Sequence, residues 1–321
     1  MIEAVRCHYD YFAAQGFRPV GREAFSLFEV FNHDSALIDL TPMLINTWGA
    51  SMDALYRRIA GQFCVVWFSG GSPYHGGQPF YFTLVKERDA GDNLKTAVNT
   101  LYELARKAGQ PSLLIESIDE AWVPEFLGIA GYHIESGYSE DHSEYAYRRS
   151  DFLDLAGTAN KNKRERLGKV FKAGDLYLKP LTKENIHLIL QIEDAWCRGK
   201  DCAVCGSYAG CERKALDIAA DLYREDRYRG LLLYRGNEPA GYGIGEQMHS
   251  KTAFAYFAKG IQQDYFLYIL YKMTECFFTG AEYINLGEDM GNPGIRMFKS
   301  HLGPFEHWRK HQCTYVSKKD T

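Results

Sequence analysis

One order of elements runs through this chain twice, at a nearly constant offset. In the first half an apolar strand at Phe80–Val85 precedes a helix over Leu94–Ala108, which Gly91-Asp92-Asn93 opens and Gly109 ends. A strand at Ser112–Glu116 follows, with Glu116, Asp119 and Glu120 at its end, then a helix reaching Ala130, Gly131, and strands at Tyr132–Gly137 and Glu144–Arg148. The second half gives a strand at Phe254–Ala258, a helix over Tyr265–Thr279 opened by Gln262-Gln263-Asp264, and Gly280. It continues with a strand at Tyr283–Leu286, the acids Glu288 and Asp289, and a helix from Pro293 to Gly303-Pro304. Gly109 and Gly280, Gly131 and Gly303, and Tyr147 and Tyr315 lie 168–172 residues apart. That constancy points to an internal duplication, with coincidence of ordinary α/β punctuation as the competing reading. The order is neither purely alternating βαβ nor all-β. The expected fold class is therefore α/β with a mixed (α+β) sheet, formed twice, helices covering both faces.

A chain of 321 residues with 46% hydrophobic content has room for two cores. We place the domains at 1–150 and 151–321. The first 60 residues read as broken helices, Arg22–Phe31 and Ser51–Ala60, the second with Ser51 as N-cap and Asp53 in its first turn. Phe63–Phe68 reads as a strand. A net charge of -4 gives no global field for nucleic acid or an anionic membrane, so either would need a local patch. No run of about 18 apolar residues is present and the first residues lack the basic and apolar regions of a signal peptide. The expectation is a cytoplasmic protein without stable membrane insertion, its eight cysteines reduced or ligating metal.

The stretch EYAYRRSDFLDLAGTANKNKRERLGKVFK (144–172), followed by FAYFAKG (254–260), YINLGEDMG (283–291) and IRMFKSHLGP (295–304), resembles the C-terminal domain of bacterial phosphatidylglycerol lysyltransferases and its free-standing relatives. The resemblance runs from about Glu23 to Tyr315. It implies two tandem GNAT-like acyltransferase domains, the architecture of Fem-type aminoacyl-tRNA-dependent transferases. Lys163-Arg164 match the family's basic pair, while Glu165 and Arg166 stand where it has Asn and His. Glu288, Asp289 and Gly291 match its acidic motif, with Arg296 and Lys299 behind. The membrane-embedded half of the lysyltransferases finds no match, which argues against a lipid acceptor.

The resemblance implies an acyl- or aminoacyltransferase that moves an activated acyl group from acyl-CoA or aminoacyl-tRNA to an amine or hydroxyl of a small-molecule acceptor. Such chemistry needs a held carbonyl, a deprotonated nucleophile and support for the oxyanion. Glu288 and Asp289 suit binding or deprotonating an amine, with Arg296 and Lys299 pairing with them or with a substrate carboxylate. Capping of the next helix by Asp289 or Asn292 is the plainer alternative. The basic segment 161–172 sets Lys161, Lys163, Arg164, Arg166, Lys169 and Lys172 against Glu165 alone. It reads either as a solvated helix face or as a phosphate patch led by Arg164 with Lys163. Asp264 at a helix start is unfavourable to the pyrophosphate of CoA. The glycines of GYGIG (241–245) sit in a strand and resemble a nucleotide loop only superficially. Tyr256 is read as lining the cleft.

The resemblance leaves one cluster unexplained. Cys197, Cys202, Cys205 and Cys211, spaced C-x4-C-x2-C-x5-C within segment 197–211, can wrap zinc or an iron–sulfur cluster. Unmetallated loop cysteines are the alternative. A rival to the transferase is accordingly a non-catalytic ligand- or metal-sensing module. Oligomeric state is not encoded in any of these features.

Overall fold

The computed structural model describes residues 3–28, 35–70, 75–86, 93–158, 160–198, 211–247 and 251–319. They form two compact units, one of Met1–Ser143, Gly206–Ala215 and Arg309–Thr321, the other of Glu144–Cys205 and Leu216–Trp308.

The first unit is built on β1 (Arg18–Pro19), β2 (Leu55–Ile59), β3 (Gln62–Phe68), β4 (Phe80–Val85), β5 (Leu113–Asp119) and β6 (Tyr132–Tyr138). The second uses β7 (Glu144–Arg148), β8 (Leu176–Pro180), β9 (Arg229–Arg235), β10 (Glu238–Gln247), β11 (Thr252–Gly260), β12 (Tyr283–Asn285) and β13 (Glu306–Trp308), and β14 (Lys310–Ser317) returns to the first. The sheet orders are β1-β2-β3-β4-β5-β14-β6 and, taken from its other edge, β8-β9-β10-β11-β12-β7-β13. In each the fourth and fifth strands are parallel, β4 with β5 and β11 with β12, and every other neighbour is antiparallel. Two mixed sheets of one strand order make two tandem GNAT-like α/β units, as the repeat in the sequence led us to expect. β7 and β14, which carry Tyr147 and Tyr315, hold the sixth place in each other's half.

In the first unit, helices Glu3–Ala14 and Asn93–Lys107 cover one sheet face, burying Phe12, Val98 and Leu101 against Val66, Phe80, Phe82 and Ile115. In the second, helix Gln263–Cys276 buries Leu267, Ile269 and Met273 against Leu231, Leu233, Ala253 and Ala255. The GYGIG glycines belong to this contact. A Cβ on Gly243 would stand 2.3 Å from Met273 Sδ, and one on Gly245 would stand 2.4 Å from the Phe254 carbonyl oxygen. They let the helix and the neighbouring strand approach closely, which is a packing role.

Residues 51–60 are a correction. The helix there is Pro42–Ser51, opened by Thr41, whose side chain accepts from the Leu44 N–H, and by Pro42 at its first position. Ser51 ends a helix and starts none. Asp53 turns the chain at φ 57, and Leu55–Ile59 runs on as β2 into a hairpin whose Ala60 and Gly61 both have positive φ, 48 and 83. Such a two-residue turn matches the twist of paired strands, so tertiary pairing overrides the helix reading.

Candidate active site in the second unit

Among the described residues β11 and β12 pair only at Thr252↔Tyr283, Ala253↔Ile284 and Phe254↔Asn285, after which they part. Tyr256 is the extra residue of a bulge on β11, between the pairs Ile244↔Phe257 and Gly245↔Ala255. It stands just past the last β11–β12 pair, 8% exposed, and its hydroxyl donates to Glu246 Oε2 at 2.6 Å. Glu246 also accepts from Arg227 Nε at 2.5 Å. Three residues further along β11, Lys259 Nζ lies 2.6 Å from Glu193 Oε1 and 3.9 Å from the centroid of the Trp196 ring. Glu193 takes a further hydrogen bond from the Tyr242 hydroxyl at 3.2 Å. Each of these two buried carboxylates therefore has an opposite charge and a hydroxyl donor, the condition under which ionic groups persist out of water.

The acidic loop follows β12. Gly287, Met290 and Gly291 are left-handed, at φ 68, 53 and 70, so the loop folds back within five residues. Asp289 is fully enclosed. Its carboxylate accepts from Arg296 Nε and Nη2, each at 2.8 Å, from the Tyr145 hydroxyl at 2.6 Å, and from the Gly291 N–H at 2.8 Å. Burial alone raises its pKa, but bonds from Arg296, Tyr145 and Gly291 outweigh this and hold it at about 2. A carboxylate so engaged suits fixing the loop, since at neutral pH it is a poor proton acceptor. The Tyr145 hydroxyl is raised, by burial first and then by its bond to Asp289. Lys299 Nζ donates to three backbone carbonyls, those of Leu286 at 2.7 Å, Gly287 at 3.0 Å and Glu288 at 2.6 Å. Arg296 and Lys299 thus clamp the loop from the helix Pro293–His301, which Asn292 caps by accepting from the N–H groups of Gly294 and Ile295. Glu288 is half-buried, on a backbone held rigid at both ends.

The basic helix forms over Lys161–Lys172, as its sequence led us to expect. Three of its six cations are turned to partners elsewhere in the unit. Arg164 Nη1 donates to the carbonyls of Leu155 and Gly157, Lys163 Nζ to that of Leu302 at 2.7 Å, and Arg166 Nε to Asp264 Oδ1 at 2.6 Å. Burial lowers the Lys163 ammonium. Lys169 and Lys172 share an open groove of about 400 Å³ with Arg164, Glu165 and Gly168. Of the four clustered cysteines, Cys197 is half-buried, 3.6 Å from Glu193 Oε1, and Cys211 is exposed. Cys202 and Cys205 lie outside the described residues, and among the described residues no three His, Cys, Asp or Glu side chains converge as metal ligands. No helix among the described residues is long and apolar enough to cross a membrane.

Sequence reasoning passed over Tyr145, Glu193 and Lys259. The alternation EYAYR carries a signal for the first, because it places Tyr145 and Tyr147 on one face of β7. Both hydroxyls reach the acidic element, Tyr147 donating to the Lys299 carbonyl at 2.8 Å.

Among solved structures, the chain is similar to a conserved protein of unknown function from Bacteroides thetaiotaomicron, with TM-score 0.78 and 19% identity over 93% of this chain and 99% of that one. It is also similar to L-PGS from Bacillus licheniformis, with TM-score 0.63 and 11% identity over 94% and 93%, and to FemX, with TM-score 0.58 and 9% identity over 93% and 96%. At these identities the likeness shows the fold alone. No curated protein matches by sequence. A family model described as "Phosphatidylglycerol lysyltransferase, C-terminal" matches residues 76–291, and the chain belongs to that family.

Proposed function

We propose that the second unit transfers an activated aminoacyl group to an amine. One observation carries this reading: β11 and β12 part after Phe254 and Asn285, and a rigid acidic loop stands at the end of β12. Past Phe254, β11 has backbone groups that β12 does not meet, a rail along which an extended acyl group can lie and whose N–H groups can face its oxyanion. Glu288 binds the ammonium form of the acceptor and takes its proton. As the C–N bond forms, the ester C–O bond breaks and the leaving hydroxyl is protonated. Asp289, Arg296 and Lys299 position that carboxylate, and Tyr256 lines the gap.

For the donor we favour aminoacyl-tRNA. Asp264 sits in the first turn of helix Gln263–Cys276, where CoA pyrophosphate would need a positive helix end. Arg164, Lys169 and Lys172, sharing one groove, supply the phosphate contacts, and Lys163 supports the segment through Leu302. The test is transfer of labelled amino acid from charged tRNA to a panel of amines. Glu288→Gln should abolish it without changing the unfolding curve, and undiminished turnover would sink the proposal. The four-cysteine metal site is a companion proposal that metal analysis of anaerobically purified protein decides: one equivalent of zinc or iron supports it, and less removes it.

A further inference from the structure

The first unit holds a proton-transfer group of another kind. His75 Nδ1 lies 2.8 Å from Glu116 Oε1. A carboxylate only accepts, so the shared proton belongs to Nδ1, and Nε2 of the neutral ring is left as an acceptor. The imidazole stacks on Tyr81 with centroids 4.1 Å apart and planes 20° apart, and Tyr81 stacks on Trp67 at 6.3 Å and 10°. The Trp67 indole N–H is tied to Thr83 Oγ1 at 3.1 Å, which fixes the base of this stack. His75 and Glu116 keep 19% and 16% of their side-chain surface open to solvent.

Two backbone devices aim the dyad. β5 pairs with β14 at Ile115↔Cys313 and Ile118↔His311, so Glu116 and Ser117 bulge opposite a single residue, Gln312. Ser117 is left-handed at φ 57, a conformation that a residue with a Cβ keeps only where its neighbours impose it, and its hydroxyl reaches Asp39 Oδ2 at 3.4 Å. Asp39 is itself held by Lys310 Nζ at 2.5 Å. On the other side, the residues that lead from His75 into β4 are tied in place. Ser69 N–H donates to the Pro79 carbonyl at 3.0 Å, Gln78 donates to Ser112 Oγ at 3.0 Å, and Gln110 donates to Gln78 Oε1 at 2.8 Å and to the Phe80 carbonyl at 3.1 Å.

We propose that His75, oriented by Glu116, is a general base for a hydroxyl nucleophile in the first unit, acting on an activated acyl ester. The hydroxyl proton passes to Nε2 as its oxygen bonds to the acyl carbon. The C–O bond of the ester breaks, the imidazolium returns the proton to the leaving oxygen, and Glu116 balances the charge in between. An alcohol or water has no charge for a carboxylate to attract and needs a base of this kind, whereas an ammonium acceptor suits a carboxylate such as Glu288. The first unit then differs from the second in acceptor chemistry.

The test uses the full chain with p-nitrophenyl acetate as donor and water as the hydroxyl acceptor. Release of p-nitrophenolate should fall to the buffer rate in His75→Gln and several-fold in Glu116→Gln, and should persist in His133→Gln, a change at an exposed histidine of the same unit. Equal rates in wild type and His75→Gln overturn the proposal. Diethyl pyrocarbonate labelling of the wild type, read by peptide mass spectrometry, keeps it falsifiable should His75→Gln misfold. His75 should label faster than His133 and slow several-fold in Glu116→Gln, and labelling no faster than His133 or indifferent to Glu116→Gln overturns the dyad. Neither measurement involves an amine acceptor, so the result stands apart from the fate of Glu288.

Discussion

Replacing Asp289 by asparagine separates the anchoring role of this carboxylate from the chemistry beside it. In the folded chain its pKa is about 2 against an ordinary 3.8, and the side chain is fully buried. A drop of nearly two pH units corresponds to about 2 kcal/mol of folding free energy. Because the folded value lies below the unfolded one, this contribution is complete above about pH 4 and fades as pH falls through about 2, with about 1 kcal/mol left at pH 3. An amide in its place presents an NH₂ to at least one of the Arg296 and Tyr145 donors and no longer balances the guanidinium. Arg296 is 44% exposed, so water can rehydrate it, which keeps the loss near about 2–3 kcal/mol and below that of a wholly buried broken pair. Urea unfolding at pH 7 and pH 3, followed by hydrogen exchange in peptides covering 283–301, measures both effects. A gap under about 0.5 kcal/mol at pH 7, or one that stays constant down to pH 3, would refute the reasoning.

Other expectations follow from single contacts. Gly245→Ala should cost about 2–3 kcal/mol, because the new Cβ meets the Phe254 carbonyl at 2.4 Å and backbone cannot step aside, whereas Gly168→Ala, with nothing within 4 Å, should stabilise the basic helix by about 0.5–1 kcal/mol; thermal unfolding reads both. Lys169→Ala with Lys172→Ala should weaken tRNA binding and lower the slope of log affinity against log salt by roughly 2, measured by filter binding, while an unchanged slope removes the groove from the donor site.

How far the sequence could be read differs from feature to feature, for physical reasons. β4, β7 and the basic helix were legible to the residue, because apolar alternation and charge clustering are local. Residues 51–60 were not, because Ser51 and Asp53 are equally good helix openers and turn formers, and only pairing with β3 decides. The acidic loop was legible as a pair of acids between glycines. The division of labour within it was not, since it depends on Tyr145, 144 residues away. The same limit applies to the cations. Arg164 and Lys163 also donate to backbone carbonyls, partners that leave no mark in a sequence.

The strand exchange shows what the repeat both revealed and concealed. Tyr147 and Tyr315 were matched by offset alone, and in the fold they do the same work. Tyr147 donates to the Lys299 carbonyl in the helix after β12, and Tyr315 to the Phe126 carbonyl, at 3.1 Å, in the helix after β5. Each is buried, so removing its hydroxyl leaves a carbonyl without that partner and should cost about 1–2 kcal/mol. The location of the loss is the informative part. Tyr315, near the end of the chain, lies on a strand between β5 and β6, so Tyr315→Phe should speed hydrogen exchange in Leu113–Asp119 and Tyr132–Tyr138 and spare Tyr283–Asn285. Tyr147→Phe, at the end of the first half, should do the reverse. If either substitution instead loosened its sequence neighbours in its own half, the chain would be two sequential repeats without exchanged strands, and Tyr145 could not stand beside Asp289 as the site requires.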